Sequence, residues 1–151
     1  MIYEFCAENV TLLEKAMQAG ARRIELCDNL AVGGTTPSYG VTKAAVELAA
    51  NYDTTIMTMI RPRGGDFVYN DLEIAIMLED IRLTAQAGSQ GVVFGALTAD
   101  KKLNKANLEK LIAVSKGMEI VFHMAFDELS EEDQLEAIDW LNQAGVTRIL
   151  T

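Results

Sequence analysis

The tripeptide Gln-Ala-Gly, which recurs three times along the chain, constrains the fold more than any other feature. It occupies residues 18–20, 86–88 and 143–145, each time after a helical pattern and shortly before an apolar segment. A glycine that follows a helix is typical of a left-handed C-cap, which turns the chain back toward a sheet. Helix and strand therefore alternate, and this alternation predicts a parallel sheet built from repeated β/α units.

The periodicity of the apolar residues predicts six strands and five helices. The expected strands cover residues 2–6, 23–27, 54–60, 91–95, 118–123 and 146–150, and the expected helices cover 9–19, 37–51, 71–87, 106–116 and 131–143. Thr36 is the expected N-cap of the second helix, with Pro37 at its first position. Asn70, with Glu73 three residues later, predicts a capping box for the third helix, and Ser130 is the expected cap of the fifth.

Two architectures fit this alternation of strands and helices. A doubly wound sheet of five or six strands suits the chain length of 151 residues. A (β/α)₈ barrel normally needs about 200 residues or more, so five units and a sixth strand would form an incomplete barrel. Periodicity does not separate the two, and either one is expected to form a single domain over residues 1–151.

The charge balance and the lack of a long apolar run limit the expected partners. Lys and Arg number 13 and Asp and Glu number 22, which gives a net charge of −9. Such a chain has little with which to neutralise nucleic-acid phosphates or an anionic membrane surface. No run approaches the roughly 18–20 apolar residues of a membrane span, and the first residues lack the basic region of a signal peptide. We therefore expect a cytoplasmic protein whose two cysteines are free thiols.

Polar and sulfur-containing side chains gather where the expected strands end, which is where parallel α/β sheets carry their sites. The most specific segments cover residues 23–27, 33–38, 60–67, 94–98 and 122–127, and the longest of them reads Ile-Arg-Pro-Arg-Gly-Gly-Asp-Phe. These segments resemble the CutC family of copper homeostasis proteins. The resemblance implies a (β/α)₈ barrel, here incomplete after its sixth strand, and a role in cytosolic copper handling. This chain has Met124 where the family usually has an arginine.

Cys6 and Cys27 are the metal ligands that the copper interpretation implies, with Cu(I) as the cofactor. They lie at like positions on consecutive expected strands, each two residues after a glutamate. Parallel strands lie about 4.8 Å apart, so two thiolates at neighbouring strand ends could bind one soft ion. Thiolate is the donor that Cu(I) prefers. The alternative is that both thiols pack as small apolar side chains.

Thioethers are soft donors as well, and three methionines lie on or just after expected strands. Met57 and Met59 alternate along the third strand, and Met124 follows the fifth. Methionines at such positions are more often core residues, and this is the interpretation that we favour for all three.

A second hypothesis is a barrel enzyme that acts on a small anionic metabolite, either a carboxylate or a phosphate. His123, the only histidine, is then the general acid or base, and Glu25 or Asp127 orients it or shares its proton. The alternative for His123 is a structural histidine that is hydrogen bonded under a loop. The loop after the third strand supplies the substrate-binding residues Arg61, Arg63 and Asp66.

These loop arginines also have a purely structural explanation. In a chain with a net charge of −9, they could be held in salt bridges that pin the loops. The acidic partners would be Glu4, Glu25, Asp28 and Asp66.

A third possibility is a barrel fragment without activity. An incomplete barrel leaves its first and sixth strands as open edges, which invite pairing with another chain. We therefore expect association, as a homodimer that covers those edges. Both active hypotheses depend on one spatial requirement, which is that the two cysteines, the pair Arg61 and Arg63, and His123 share a single mouth at one rim of the sheet.

Overall fold

The structure, a computed structural model, describes residues 1–151 and contains six strands and five helices. The strands are β1 (Glu4–Glu8), β2 (Arg23–Cys27), β3 (Thr55–Met59), β4 (Gly91–Phe94), β5 (Glu119–Phe122) and β6 (Arg148–Ile149). The helices are α1 (Leu13–Gln18), α2 (Tyr39–Ala49), α3 (Asp71–Ala87), α4 (Lys105–Val114) and α5 (Glu131–Gln143). Short 3₁₀ turns at Leu30–Val32 and Met124–Glu128 follow β2 and β5. Every helix falls short of the length and apolarity that a membrane crossing requires.

The order of the strands decides between the two expected architectures. All neighbouring strands are parallel, and their order across the sheet is their order along the chain. In a doubly wound sheet the order reverses at a switch point, whereas in a barrel each strand pairs with the next one. The sheet is therefore a half-barrel, and the expected incomplete (β/α)₈ barrel is confirmed.

The sheet is apolar on both faces, because successive side chains of each strand point in opposite directions. On the outer face, residues such as Ile24 and Phe94 pack against the helices and form two large clusters. The inner face carries a smaller apolar cluster inside the half-barrel. Its members are Cys27, Met57, Met59, Val93 and Val121.

A charged layer covers the inner face where the strands begin. Arg23 on β2 lies 3.7 Å from Glu4 on β1 and 3.8 Å from Glu119 on β5, and Arg148 on β6 lies 2.8 Å from the same Glu119. A guanidinium nitrogen of Arg148 also lies 3.8 Å from the sulfur of Met57 on β3. Two of these contacts, Arg23 with Glu119 and Arg148 with Met57, join strands that are not neighbours, which shows how strongly the sheet curves.

The helix ends follow most of the expected signals. Gly20, Gly88 and Gly145 all have positive φ angles, of 101°, 89° and 87°, so the three Gln-Ala-Gly segments do turn the chain as expected. The capping box of Asn70 and Glu73 at α3 is confirmed, and α5 begins after its cap Ser130.

Several expected boundaries differ from the observed ones. The cap of α2 is Ser38 and not Thr36, because the Thr36 hydroxyl is hydrogen bonded to the backbone of Arg61, 2.9 Å from its nitrogen. The first strand lies at Glu4–Glu8, two residues later than expected, and α1 is correspondingly short. Asn9, expected in that helix, has a φ of 52° and donates its side-chain amide to Asp28.

Candidate metal centre

Three potential metal ligands meet on the inner face of the half-barrel, from the first two strands. The sulfurs of Cys6 and Cys27 and a carboxylate oxygen of Glu25 all lie within 4.8 Å of one another. Both thiols are placed to donate to the same oxygen of Glu25, Cys6 at 3.7 Å and Cys27 at 3.8 Å. Cys6 is exposed and Cys27 is buried, so the cluster runs from the surface into the protein.

The register of β1 and β2 brings these side chains together. Cys6 pairs with Glu25, and Cys27 pairs with Glu8. The two cysteines are therefore diagonal neighbours on one face, offset by two residues, and not directly opposite each other as their like positions suggested. Glu25 fills the position beside Cys6, which explains why one carboxylate contacts both thiols.

The two thiols differ in how easily they lose a proton. Cys27 can donate to a thiolate at Cys6 in place of Glu25, and this interaction lowers the pKa of Cys6. The same hydrogen bond, together with burial, raises the pKa of Cys27. The exposed sulfur is therefore the one that becomes a thiolate first, and thiolate is the form that binds metals.

Glu25 is a partly desolvated carboxyl in an acidic environment. Burial raises its pKa, and the nearby charge of Glu4 raises it further. The inner face around the thiols thus holds two carboxyl groups, an arrangement that favours a cation.

A cavity of about 480 Å³ opens onto this cluster from the rim of the half-barrel. Its walls combine the charged and sulfur-containing groups of the inner face with apolar side chains. The lining residues are Glu4, Cys6, Glu25, Leu30, Gly33, Val121, Met124, Arg148, Ile149 and Leu150. The potential ligands Cys6 and Glu25 are therefore accessible from this cavity.

The glycine pair after β2 lies directly against the cluster. Gly33 and Gly34 have positive φ angles of 88° and 87°, which residues with a side chain rarely adopt. A Cβ on Gly34 would lie 3.1 Å from the sulfur of Cys27, so a residue with a side chain would crowd the thiol at this position.

Arg61 fastens this turn to the loop after β3. Its guanidinium donates to the carbonyl oxygens of Val32 at 2.7 Å, Gly34 at 3.0 Å and Gly65 at 2.7 Å. The side chain is buried, and its charged end also lies over the ring of Phe67, 4.8 Å from the centroid. These backbone bonds occupy both terminal nitrogens, so the anion-binding role of Arg61 stays a prediction that the geometry does not favour.

His123 lies on the far side of Phe67. The centroids of the two rings are 4.8 Å apart, so Cys27, Gly34, Arg61, Phe67 and His123 form one continuous row of contacts along the rim. These residues therefore lie along one rim, but they do not share one mouth, because none of Arg61, Arg63 and His123 lines the cavity beside Cys6.

The imidazole of His123 is nevertheless held in a closed environment. Its Nδ1 accepts a hydrogen bond from the backbone nitrogen of Ala125 at 3.2 Å, and its Nε2 is buried without a partner. Burial, aided by the charge of Arg61, lowers the pKa of His123 to about 3. The ring fits because residue 95 is glycine, where a Cβ would lie 2.7 Å from the imidazole Cε1. His123 is neutral at pH 7 and does not line the cavity.

The other predicted enzyme residues lie away from the cluster. Arg63 bonds to Glu73, and it lies 3.1 Å from a carboxylate oxygen of Asp66. Of the expected salt-bridge network, only the pair of Arg63 and Asp66 forms; Glu73 is a partner that was not expected, and Arg61 bonds to backbone carbonyls in place of acidic side chains. Asp127 is exposed and accepts a hydrogen bond from the Thr151 hydroxyl. Catalytic and substrate-binding roles for these residues stay predictions.

The methionines divide into two groups. Met57 and Met59 are buried in the inner cluster, which confirms the core interpretation for both. Met124 is 45% exposed and lines the cavity, so the core interpretation was wrong for this residue.

Two features around the site were not predicted. One is the charged layer formed by Glu4, Arg23, Glu119 and Arg148. These residues are the first residues of β1, β2, β5 and β6, and their charges alternate between negative and positive in that order. The other is Phe67, which lies between Arg61 and His123. An aromatic residue in a glycine-rich loop gives no local signal of this kind.

Comparison with known proteins agrees with this architecture. The model of the CutC family matches residues 1–151. A CutC family protein of Enterococcus faecalis is 55% identical over 151 residues, which are 100% of this chain and 72% of that protein. A CutC family protein of Streptococcus pyogenes is 52% identical over the same shares. One from Vibrio vulnificus is 45% identical over 98% of this chain and 58% of its own length.

Solved structures show the same fold. The crystal structure of a CutC protein of Streptococcus agalactiae, named for copper homeostasis, has a TM-score of 0.95 and 48% sequence identity, and covers 99% of this chain and 71% of that one. A protein described as a phosphonomutase from Burkholderia cenocepacia has a TM-score of 0.72 at 18% identity, over 99% of this chain and 62% of that one, and shares the fold alone. On the whole-chain family match and these identities, the chain belongs to the CutC family.

Proposed function

We propose that this protein binds Cu(I) in the cytosol through the thiolates of Cys6 and Cys27, as part of copper homeostasis. The observation that carries the proposal is the meeting of both sulfurs and the Glu25 carboxylate within 4.8 Å. The chain has no other cysteine, so both of its thiols are in this one cluster.

The donor set suits Cu(I) better than a harder ion. Thiolates are soft ligands that select Cu(I), and the reducing cytosol that keeps these thiols free also keeps copper in that oxidation state. The lowered pKa of Cys6 supplies the first thiolate, and binding of the metal would displace the proton that Cys27 retains. The name of the Streptococcus agalactiae relative, a copper homeostasis protein, supports the same assignment.

The charges around the cavity support a cation over an anion. Glu25 lines the cavity without a cationic partner, whereas Glu4 lies 3.7 Å from Arg23 and the one guanidinium of the lining, that of Arg148, is paired with Glu119. Arg61, the strongest candidate for an anion ligand, donates to three backbone carbonyls instead. The enzyme hypothesis therefore has less support than the metal hypothesis, because neither Arg61 nor His123 faces the cavity.

An anaerobic competition titration tests the proposal. The reduced protein is titrated against a coloured Cu(I) chelator, and we expect it to withdraw one Cu(I) per chain. Cys6→Ser and Cys27→Ser should each abolish this withdrawal, because one thiolate and a carboxylate make a poor site for a soft ion. Met118→Leu, at the opposite end of β5, is the matched control and should titrate as the original protein does. Equal Cu(I) retention in the cysteine variants would refute the proposal.

A thermal-shift screen with carboxylate and phosphate compounds tests the enzyme alternative in parallel. A ligand at 100 times its dissociation constant stabilises the folded chain by about 2.7 kcal/mol. A stabilisation that disappears in the Arg61→Ala variant would favour the anion-binding enzyme over the copper site.

A further inference from the structure

We propose that the thioether of Met124 captures Cu(I) at the mouth of the cavity and passes it to the thiolates of Cys6 and Cys27. The inference rests on the proposed function and extends it from the place where the ion is held to the way in which it arrives. Three observations support it, namely the exposure of Met124, its position next to the glycine turn, and the kind of donors that surround it.

The exposure of Met124 sets it apart from the methionines of the core. Met17, Met57, Met59 and Met77 are at most 3% exposed and serve as packing residues. Met124 is 45% exposed, although it shares a cavity wall with Cys6 and Glu25. Packing therefore accounts for the four buried methionines and does not account for this one.

The glycine turn connects Met124 with the inner thiol. The methyl carbon of Met124 lies 3.9 Å from the point where a Cβ of Gly33 would stand, and the sulfur of Cys27 lies 3.1 Å from the corresponding point at Gly34. The two sulfur-containing side chains thus contact consecutive residues of one turn. Neither residue of the turn places a side chain of its own between Met124 and Cys27, and a terminal nitrogen of Arg61 lies 3.2 Å from the same Cβ position of Gly33.

The donors along this route become stronger toward the interior. A thioether is neutral and soft, so it binds Cu(I) weakly and gives little affinity for the hard cations Mg²⁺ and Ca²⁺. The thiolate of Cys6, and then the pair with Cys27, bind the ion more tightly. The apolar residues that line the cavity, Leu30, Val121, Ile149 and Leu150, offer no metal ligand. Met124 therefore selects a soft monovalent cation, and the ion moves inward to the better ligands.

Stopped-flow transfer under anaerobic, reducing conditions tests the capture role. Cu(I) is supplied as the coloured chelator complex to the full chain, and the rate of colour loss is followed. Met124→Leu preserves the size and apolarity of the side chain and removes the sulfur. We expect transfer to slow by about tenfold, the lower end of what outer partners of a metal site contribute, with the same final occupancy. Met118→Leu, whose side chain lies outside the cavity, should transfer at the original rate.

A spectroscopic measurement addresses Met124 directly. The Cys6→Ser/Cys27→Ser double variant, labelled with ¹³C at the methionine methyl groups, is titrated with Ag(I) as a redox-inert substitute for Cu(I). We expect the methyl resonance of Met124 to shift while that of Met118 stays in place. A Met124 resonance that does not move, or an unchanged transfer rate in Met124→Leu with cysteine-dependent binding intact, would overturn the capture role and leave the copper site standing. If the original protein takes up no Cu(I) through its cysteines, both proposals fail together.

Discussion

At the scale of the residue, His123 shows how burial changes the meaning of a titratable side chain. An imidazole at the end of a barrel strand suggests proton transfer near neutral pH. Here the ring packs over Gly95 and against Phe67, and burial lowers its pKa to about 3. The group is therefore a neutral hydrogen-bond acceptor that caps the turn after β5, and its main consequence is for stability.

We predict that this protein loses stability as the pH falls below about 6.5, the ordinary pKa of histidine. In that range the unfolded chain binds the proton of His123 and the folded chain does not, so protonation favours unfolding. Between pH 7 and pH 5 this one group removes about 2 kcal/mol from the free energy of unfolding. Urea denaturation at the two pH values measures the loss.

The His123→Asn variant provides the control. Asparagine can still accept the hydrogen bond from Ala125, and it does not titrate. The variant should therefore lose about 2 kcal/mol less than the original protein over the same interval. Equal losses in both proteins would show that His123 is not the group responsible.

At the scale of the element, Arg61 connects two loops that would otherwise be independent. It joins the turn after β2 to the loop after β3 through three backbone carbonyls, and it pairs with the ring of Phe67. This arrangement holds Gly34 against Cys27. An arginine that the sequence suggests as an anion ligand therefore acts as a clamp between two loops beside the candidate metal centre.

We predict that Arg61→Met destabilises the protein by about 3 kcal/mol or more, since three carbonyl oxygens lose their donor and a buried carbonyl without a partner costs about 1–3 kcal/mol. Arg63→Met is the matched control in the same loop. The Arg63 side chain is 39% exposed, so water can replace it at its carboxylate and carbonyl partners, and its loss should cost no more than about 1 kcal/mol. Chemical denaturation at pH 7 compares the two, and similar losses in both variants would contradict the clamp.

At the scale of the whole molecule, the curved sheet decides which groups can meet. Because the strands follow one another in order around an arc, Arg23 on β2 reaches Glu119 on β5, and the inner face becomes a concave wall. The same curvature places the ends of β1, β2 and β5 around one cavity. A flat sheet with the same strands would keep Met124 far from Cys6.

The two outer strands lead to a prediction about assembly. β1 and β6 each have a neighbouring strand on one side only, so each presents unpaired backbone groups to another chain. We predict that this chain associates in solution as a homodimer that covers these edges. Size-exclusion chromatography with light scattering measures the mass directly. A single species with the mass of one chain, independent of concentration, would contradict the prediction.

The sequence by itself determined the order of the strands and helices, and it singled out candidate residues for the site. Helix ends could be predicted because glycine C-caps and the Asn70 capping box act within a few residues of the chain. The resemblance to the CutC family singled out Cys6 and Cys27, and the alternation of strands and helices put both at the sheet. The capping signals are local, and the resemblance depends on residue identity alone, so both can be read without knowledge of the tertiary structure.

Only the tertiary structure decided how the chosen residues are used. The two-residue offset of Cys6 and Cys27 comes from strand register, and the backbone partners of Arg61 come from two separate loops. The closed environment of His123 and the open one of Met124 likewise depend on what packs around them. Strand register, burial and hydrogen-bond partners are set by contacts between residues that are far apart in the chain. Local sequence patterns do not specify these contacts.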